Sequence, residues 1–220
     1  MRTAVSLMDA GGRLAEVARE LVRRRADLVN HAQGSLETHV IGVHDVLVAW
    51  AQPERVRLAG LLHSGYSTES FGFRLFGPRE RARVRELVGG AAERLVYAFC
   101  ACTREELLRA ADSRGGPVRV PTRWKGEAVA LERRDLAELL VIHAANLAEQ
   151  SCAPAGAPSP WLAEAAGFLA RAKGDVERPP PVFSHGPPAR GAEAALLDGY
   201  AALLAETPDS GAPAWRPPDD

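Results

Sequence analysis

The chain of 220 residues carries 27 Lys and Arg against 28 Asp and Glu, a net charge of −1, so no global field draws it to nucleic acid, an anionic membrane or a cationic partner. This length suffices for one domain, or one with a small appendage, around a sizeable core. The three cysteines are an odd number, no apolar run approaches the roughly 18 to 20 residues of a membrane span, and no Arg-flanked apolar signal core opens the chain; a cytoplasmic protein with reduced thiols is expected.

Residues 12–29 set Leu14, Val17, Leu21 and Leu28 among Arg, Glu and Asp, the pattern of a helix with one apolar stripe and a solvated face. Ser35 is suited to cap a second helix over 36–51, and Gln52-Pro53-Glu54 breaks it and opens a third that ends at His63. Ser64 to Gly77 is rich in Gly, Ser and Thr but holds Tyr66, Phe71, Phe73 and Phe76, so it reads as a loop with its own packing anchors. Pro78 starts an Arg-rich helix with Arg79, Arg81, Arg83 and Arg85, a solvated face by its pattern, and Gly89-Gly90 separates it from a more apolar helix through Leu95, Val96, Phe99 and Cys100. Cys100 and Cys102, two apart in that helical run, point to nearly opposite faces.

Residues 111–131 change character: Gly115-Gly116-Pro117 leads to Val118-Arg119-Val120, and after Trp124-Lys125-Gly126 comes Ala128-Val129-Ala130-Leu131, the pattern of a short β-hairpin. Asp135 to Gln150 is again helical, with Leu136, Leu139, Leu140, His143 and Leu147 on one face and Asn146 and Gln150 flanking it. Residues 154–160 form a linker, 161–173 a helix, Pro179-Pro180-Pro181 an extended segment, and 191–206 a final helix before a Pro-, Gly- and Asp-rich tail. The fold class is all-α with a small β-hairpin insertion, a domain over 1–152 and a C-terminal helical extension over 153–220.

Two histidines organise this chain. His39 shares a helical stripe with Leu36, Val43, Val46, Leu47 and Trp50, and His63 shares one with Val56, Ala59 and Gly60. A lone histidine on an apolar face is usually a core residue satisfied by one hydrogen bond. His39, His63 and His143 stand on the apolar stripes of three different helices, and imidazoles converging in a helical core are most simply explained by a bound metal or by catalysis. His44-Asp45 is a literal His-Asp pair with His31 upstream of it, but it lies mid-helix with no loop after it, about 120° round the wheel from His39, and reads rather as an exposed polar face; His31, at a loop or helix junction, could give a further ligand and reads rather as surface. The loop after His63 offers Tyr66, Thr68 and Glu69 as groups to face a ligand at the histidines, with Glu69 suited to act as acid or base. Gly89-Gly90 and Gly115-Gly116 lack the strand and lysine context of a phosphate-cradling loop, and the basic residues lack the interleaved aromatics of an RNA-binding sheet.

The run from His39 to Leu58-Ala59-Gly60-Leu61-Leu62-His63-Ser64, with the later Gly89-Gly90-Ala91-Ala92-Glu93-Arg94-Leu95-Val96 and His143-Ala144-Ala145-Asn146, resembles the HD-domain superfamily, in a divergent bacterial branch with His-Ser in place of His-Asp. The resemblance covers roughly residues 30–150 and implies an HD-like helical bundle. In it His39 takes the first metal-ligand position, His63 the histidine of the pair, and Asn146, or His143, the late position usually held by aspartate. Ser64 departs from the pattern. A neutral serine neither lends charge to an ion nor bridges two, and with Asn146 also neutral a dinuclear site of Mg²⁺ or Mn²⁺ loses the oxygen anions it prefers. The expectation is a single Zn or Fe ion held mainly by imidazoles, with an open position for water, dioxygen or substrate. The function implied is a metal-dependent enzyme, an oxygenase or hydrolase, acting on a small molecule; the alternative is a degenerate HD domain that binds a small ligand or a protein partner without catalysis.

Overall fold

The computed structural model describes residues 3–31, 34–113 and 116–150. The expected helices over 161–173 and 191–206, the triple-proline segment and the whole 153–220 extension lie outside the described residues. Within them the chain is mostly helical with two small antiparallel β-hairpins. The helices are α1 (Ala4–Leu7), α2 (Gly12–Arg23), α3 (Leu36–Ala49), α4 (Glu54–Leu61), α5 (Arg81–Val88), α6 (Gly90–Ala101), α7 (Arg104–Asp112) and α8 (Arg133–Gln150). The hairpins are β1 (Asn30–His31) with β2 (Gly34–Ser35), and β3 (Val118–Pro121) with β4 (Ala128–Leu131). No helix among the described residues is long and apolar enough to cross a membrane.

The frame of the site is α3, packed on both α4 and α8. Ser35 caps α3 as expected, its hydroxyl accepting from Thr38 N at 3.2 Å. The His39 stripe is buried at Leu36, Val43, Leu47 and Trp50, and each large apolar side chain so enclosed contributes about 1.5 to 3 kcal/mol. His44 departs from the expected exposed face: it is buried, with Nδ1 3.3 Å from Asp45 Oδ1, because neighbours enclose α3 on more than one side. At Gly60 the missing side chain lets α4 close on α3, since a Cβ there would stand 2.2 Å from Leu47 Cδ1. That crossing brings the end of α4 down beside His39.

Several boundaries differ from the sequence expectation, each for a local reason. The first helix stops at Arg23 rather than 29, because Arg25 adopts a left-handed conformation (φ 55°) and the chain passes through a 3₁₀ turn at Ala26–Leu28 into β1. α4 ends at Leu61, so His63 sits in the turns that follow rather than on the last helical turn. Pro78 opens a 3₁₀ turn, Pro78–Glu80, before α5. Cys102 lies in extended conformation past the end of α6, so the two-apart helical geometry expected for Cys100 and Cys102 does not hold; both are buried free thiols. α7 was not anticipated, although Thr103 caps it by accepting from Glu106 N at 3.2 Å. The β3–β4 hairpin matches its expected strands, pairing Val118 with Leu131 and Pro121 with Ala128.

Candidate functional site

His39 and His63 meet in the core, Nε2 to Nε2 at 3.2 Å, both almost wholly buried. The other nitrogen of each ring is committed. His63 Nδ1 lies 2.7 Å from the Gly60 carbonyl oxygen, which only accepts, so the proton of neutral His63 is on Nδ1. His39 Nδ1 lies 2.6 Å from Oε2 of Glu149, near the end of α8. Ser64 Oγ stands 3.2 Å from His63 Nε2, and Asn146, whose electrostatic influence reaches both rings, accepts at Oδ1 from Gln150 Nε2 at 2.9 Å. His39, His63, Ser64 and Asn146 therefore form one contiguous polar cluster between α3, α4 and α8.

Around this cluster the walls are aromatic. His31 stacks on His39 with centroids 4.0 Å apart, and Phe71 meets His31 edge-on. Phe99 meets His63 edge-on at 5.0 Å and carries the ring of His143 stacked on its face at 3.9 Å. Burial holds His39 and His31 down to about 4 and His63, which also feels the charge of His39, down to about 3. Burial likewise holds His143 well below the usual histidine range. These imidazoles are neutral near pH 7. The Glu149 carboxyl moves the other way, pushed up by burial to about 7.

A cavity of about 290 Å³ opens onto the cluster, with His63, Ser64 and Asn146 in its lining. Asn30, Thr68, Glu69, Ser70 and Arg104 supply polar wall, and Phe71 and Phe99 apolar wall.

The structure brings His39, His63 and Asn146 together, and Ser64 with them. His143 reaches the same cavity but lies stacked on Phe99, so the third imidazole packed on the pair is His31, expected at the surface, rather than His143. Thr68 lines the cavity with its hydroxyl accepting from Phe71 N at 3.1 Å, and exposed Glu69 lines it while accepting from Arg104 N at 3.0 Å. Tyr66 is corrected: its hydroxyl donates to buried Glu93 at 3.2 Å, within a structural cluster where Arg81 pairs with Glu93 and lies over Tyr97, and it does not line the cavity. That cluster also takes Arg81 out of the solvated arginine face; Arg83 and Arg85 remain exposed.

Glu149 was missed. The signal for it was Gly42, a glycine one turn past His39 in the interior of α3: a Cβ there would stand 2.7 Å from Glu149 Cγ and 2.8 Å from its Oε1. The glycine leaves the space in which the carboxylate reaches His39.

The donor set can be tested against the metal that the HD resemblance implies. Two imidazole nitrogens bound at 2.0 to 2.1 Å to one tetrahedral ion lie roughly 3.3 Å apart, and the His39–His63 separation of 3.2 Å agrees with that. Among the described residues, no three His, Cys, Asp or Glu side chains are grouped so as to hold a metal ion. The remaining donors are the neutral oxygens of Ser64 and Asn146. Such a donor set lacks the carboxylates that a pair of hard cations prefers.

A family model described as a domain of unknown function (DUF6817) matches residues 20–104. The matched segment takes in α3, α4 and α6, with His31, His39, His63, Ser64 and Phe99, and stops before α8, which carries Asn146 and Glu149. Neither the curated proteins nor the solved structures contain a match to the chain.

Proposed function

We propose that the chain is an HD-like helical domain and a metal-dependent enzyme, its mononuclear site built on His39 and His63 and its substrate a small polar molecule taken into the adjoining cavity. The observation that carries this reading is the pair of Nε2 atoms 3.2 Å apart, with the Nδ1 atom of each ring committed to an acceptor on the far side. His39 and His63 would hold the ion, with Asn146 and Ser64 as neutral oxygen donors beside it. A bound ion would supply a Lewis-acid position for water, dioxygen or substrate, as in an oxygenase or hydrolase. The chain's own residues contribute the rest. Phe71 and Phe99 narrow the cavity and limit water, and Glu69 and Arg104 offer polar contacts at its wall.

The test is metal analysis and titration calorimetry of the purified protein with Zn²⁺ and, anaerobically, Fe²⁺. One ion per chain is expected in the wild type, and His39→Ala or His63→Ala should abolish its retention while circular dichroism stays helical. A folded wild type that holds no stoichiometric ion overturns the reading. It would favour a second one, a non-catalytic HD-like domain binding a small ligand or a partner, which the neutral residues Ser64 and Asn146 also support.

A further inference from the structure

The tautomers of the histidine pair follow from what stands behind each ring. His63 faces a carbonyl at Nδ1, so its Nε2 lone pair points at His39. His39 has two choices. With a hydrogen-bond acceptor at Nδ1 it keeps its proton there and turns a second lone pair toward His63; without one, its best bond is Nε2–H to the His63 lone pair. The first state leaves two nitrogen lone pairs facing one another, open to a shared electrophile. The second closes the pair on itself and leaves nothing for an ion.

We infer that Glu149 is the positioning residue that sets this choice: its carboxylate holds the Nδ1 proton of His39 and keeps the Nε2 atoms of both histidines open toward each other. The 2.6 Å contact between His39 Nδ1 and Glu149 Oε2 supplies the acceptor. Gly42 is the second part of the device, since any side chain there meets Glu149 Cγ and Oε1 below 3 Å and would lift the carboxylate away from His39. A carboxylate behind a ligating imidazole fixes the ring's orientation and raises its basicity, and its loss typically lowers metal affinity 10- to 100-fold. The tautomer assignment stands on the apo protein alone; its consequence for metal rests on the metal-binding reading.

The experiment is long-range ¹H–¹⁵N correlation spectroscopy of the imidazoles in the metal-free full-length protein at pH 8, with wild type, Glu149→Ala and Gly42→Ala compared. Wild-type His39 is expected as the neutral Nδ1–H form and His63 likewise. In Glu149→Ala, His39 is expected to change to Nε2–H while His63 stays as it was, and Gly42→Ala should move His39 in the same direction although it leaves the carboxylate in the chain. Glu149 is partly exposed near the end of α8, so its truncation leaves the core packing in place. A wild-type His39 that is Nε2–H or doubly protonated, or one unchanged in Glu149→Ala, overturns the inference. Zn²⁺ titration of the same samples should show affinity falling 10- to 100-fold in both variants. A tautomer change in a protein that never binds metal would uphold Glu149 as the positioning residue and overturn the metal reading instead.

Discussion

Acidification should unfold this protein well before its surface carboxylates are titrated. His39, His63 and His143 are neutral in the fold, held down by burial to about 4, about 3 and well below the usual range, whereas in the unfolded chain they take up protons near 6.5. Groups with depressed histidine pKa values contribute stability that is intact above 6.5 and lost as pH falls toward the folded values. Glu149 acts with the opposite sign, because its carboxyl stays protonated in the fold up to about 7 while the unfolded chain ionises it near 4.5; its share is present at low pH and declines as pH rises to 7. His31, half-exposed, is left out because solvent screens it. Between pH 6 and 5 the unfolded chain therefore binds about two more protons than the folded one, which amounts to about 2.7 kcal/mol of stability per pH unit. Urea denaturation followed by circular dichroism in chelator-containing buffer at pH 7, 6 and 5 measures it. The unfolding free energy should fall by about 2 to 3 kcal/mol from pH 6 to 5, and His143→Leu should flatten that slope by about 1.4 kcal/mol per unit. A stability that is level or rising toward pH 5 would show that the buried imidazoles are not held neutral, and the electrostatic account of the site fails with it.

Two further changes probe the frame and the metal chemistry. Gly60→Ala puts a Cβ within 2.2 Å of the buried Leu47 Cδ1, so α4 must back away from α3; a loss of about 1 to 3 kcal/mol is expected in the same denaturation assay, and an unchanged midpoint would mean the crossing has slack. Ser64→Asp places an anion where the hydroxyl now lies 3.2 Å from His63 Nε2 and should raise divalent-metal affinity by calorimetry; unchanged or weaker binding in a folded variant would show that this position does not serve the site.

The parts of the fold that were legible in the sequence are those written in local chemistry. Ser35 as a cap, the break at Pro53 and the strands around Val118 and Leu131 each follow from side chains acting within a few residues of themselves. The His39 stripe was readable because α3 presents it every three to four residues; periodicity alone does not bring His63 to it, and that meeting was an expectation resting also on the Ala59-Gly60-Leu61-Leu62-His63 resemblance. What escaped is long-range. His31 reaches His39 only because an unanticipated hairpin, β1–β2, folds back over α3, and its own segment has no periodicity to reveal a face. His44 looked exposed because a helical wheel assumes one buried side, and α3 has more than one. Tyr66 stood in the right loop, but buried Glu93 on α6 offers its hydroxyl an acceptor away from the cavity. Glu149 was hidden by its sequence distance from His39, with only the glycine opposite it to betray the contact.

The placement of that one acid changes what the cluster would do with an ion. In the pattern that the sequence resembles, carboxylates touch the metal and cancel part of its charge. On that comparison Ser64 and Asn146 would take their places, and the carboxylate in contact with the pair, Glu149, meets His39 on the far side of its ring. Its influence would pass through the imidazole as added basicity rather than as direct neutralisation. An ion held by two neutral imidazoles and neutral oxygens keeps most of its field, which lowers the pKa of bound water and draws anions. The cavity beside it carries both Arg104 and Glu69 in its wall, so the wall itself is close to balanced in charge. Such a site would favour an anionic or strongly polar small molecule over a cation, whereas an acid-rich cage would repel the same ligand.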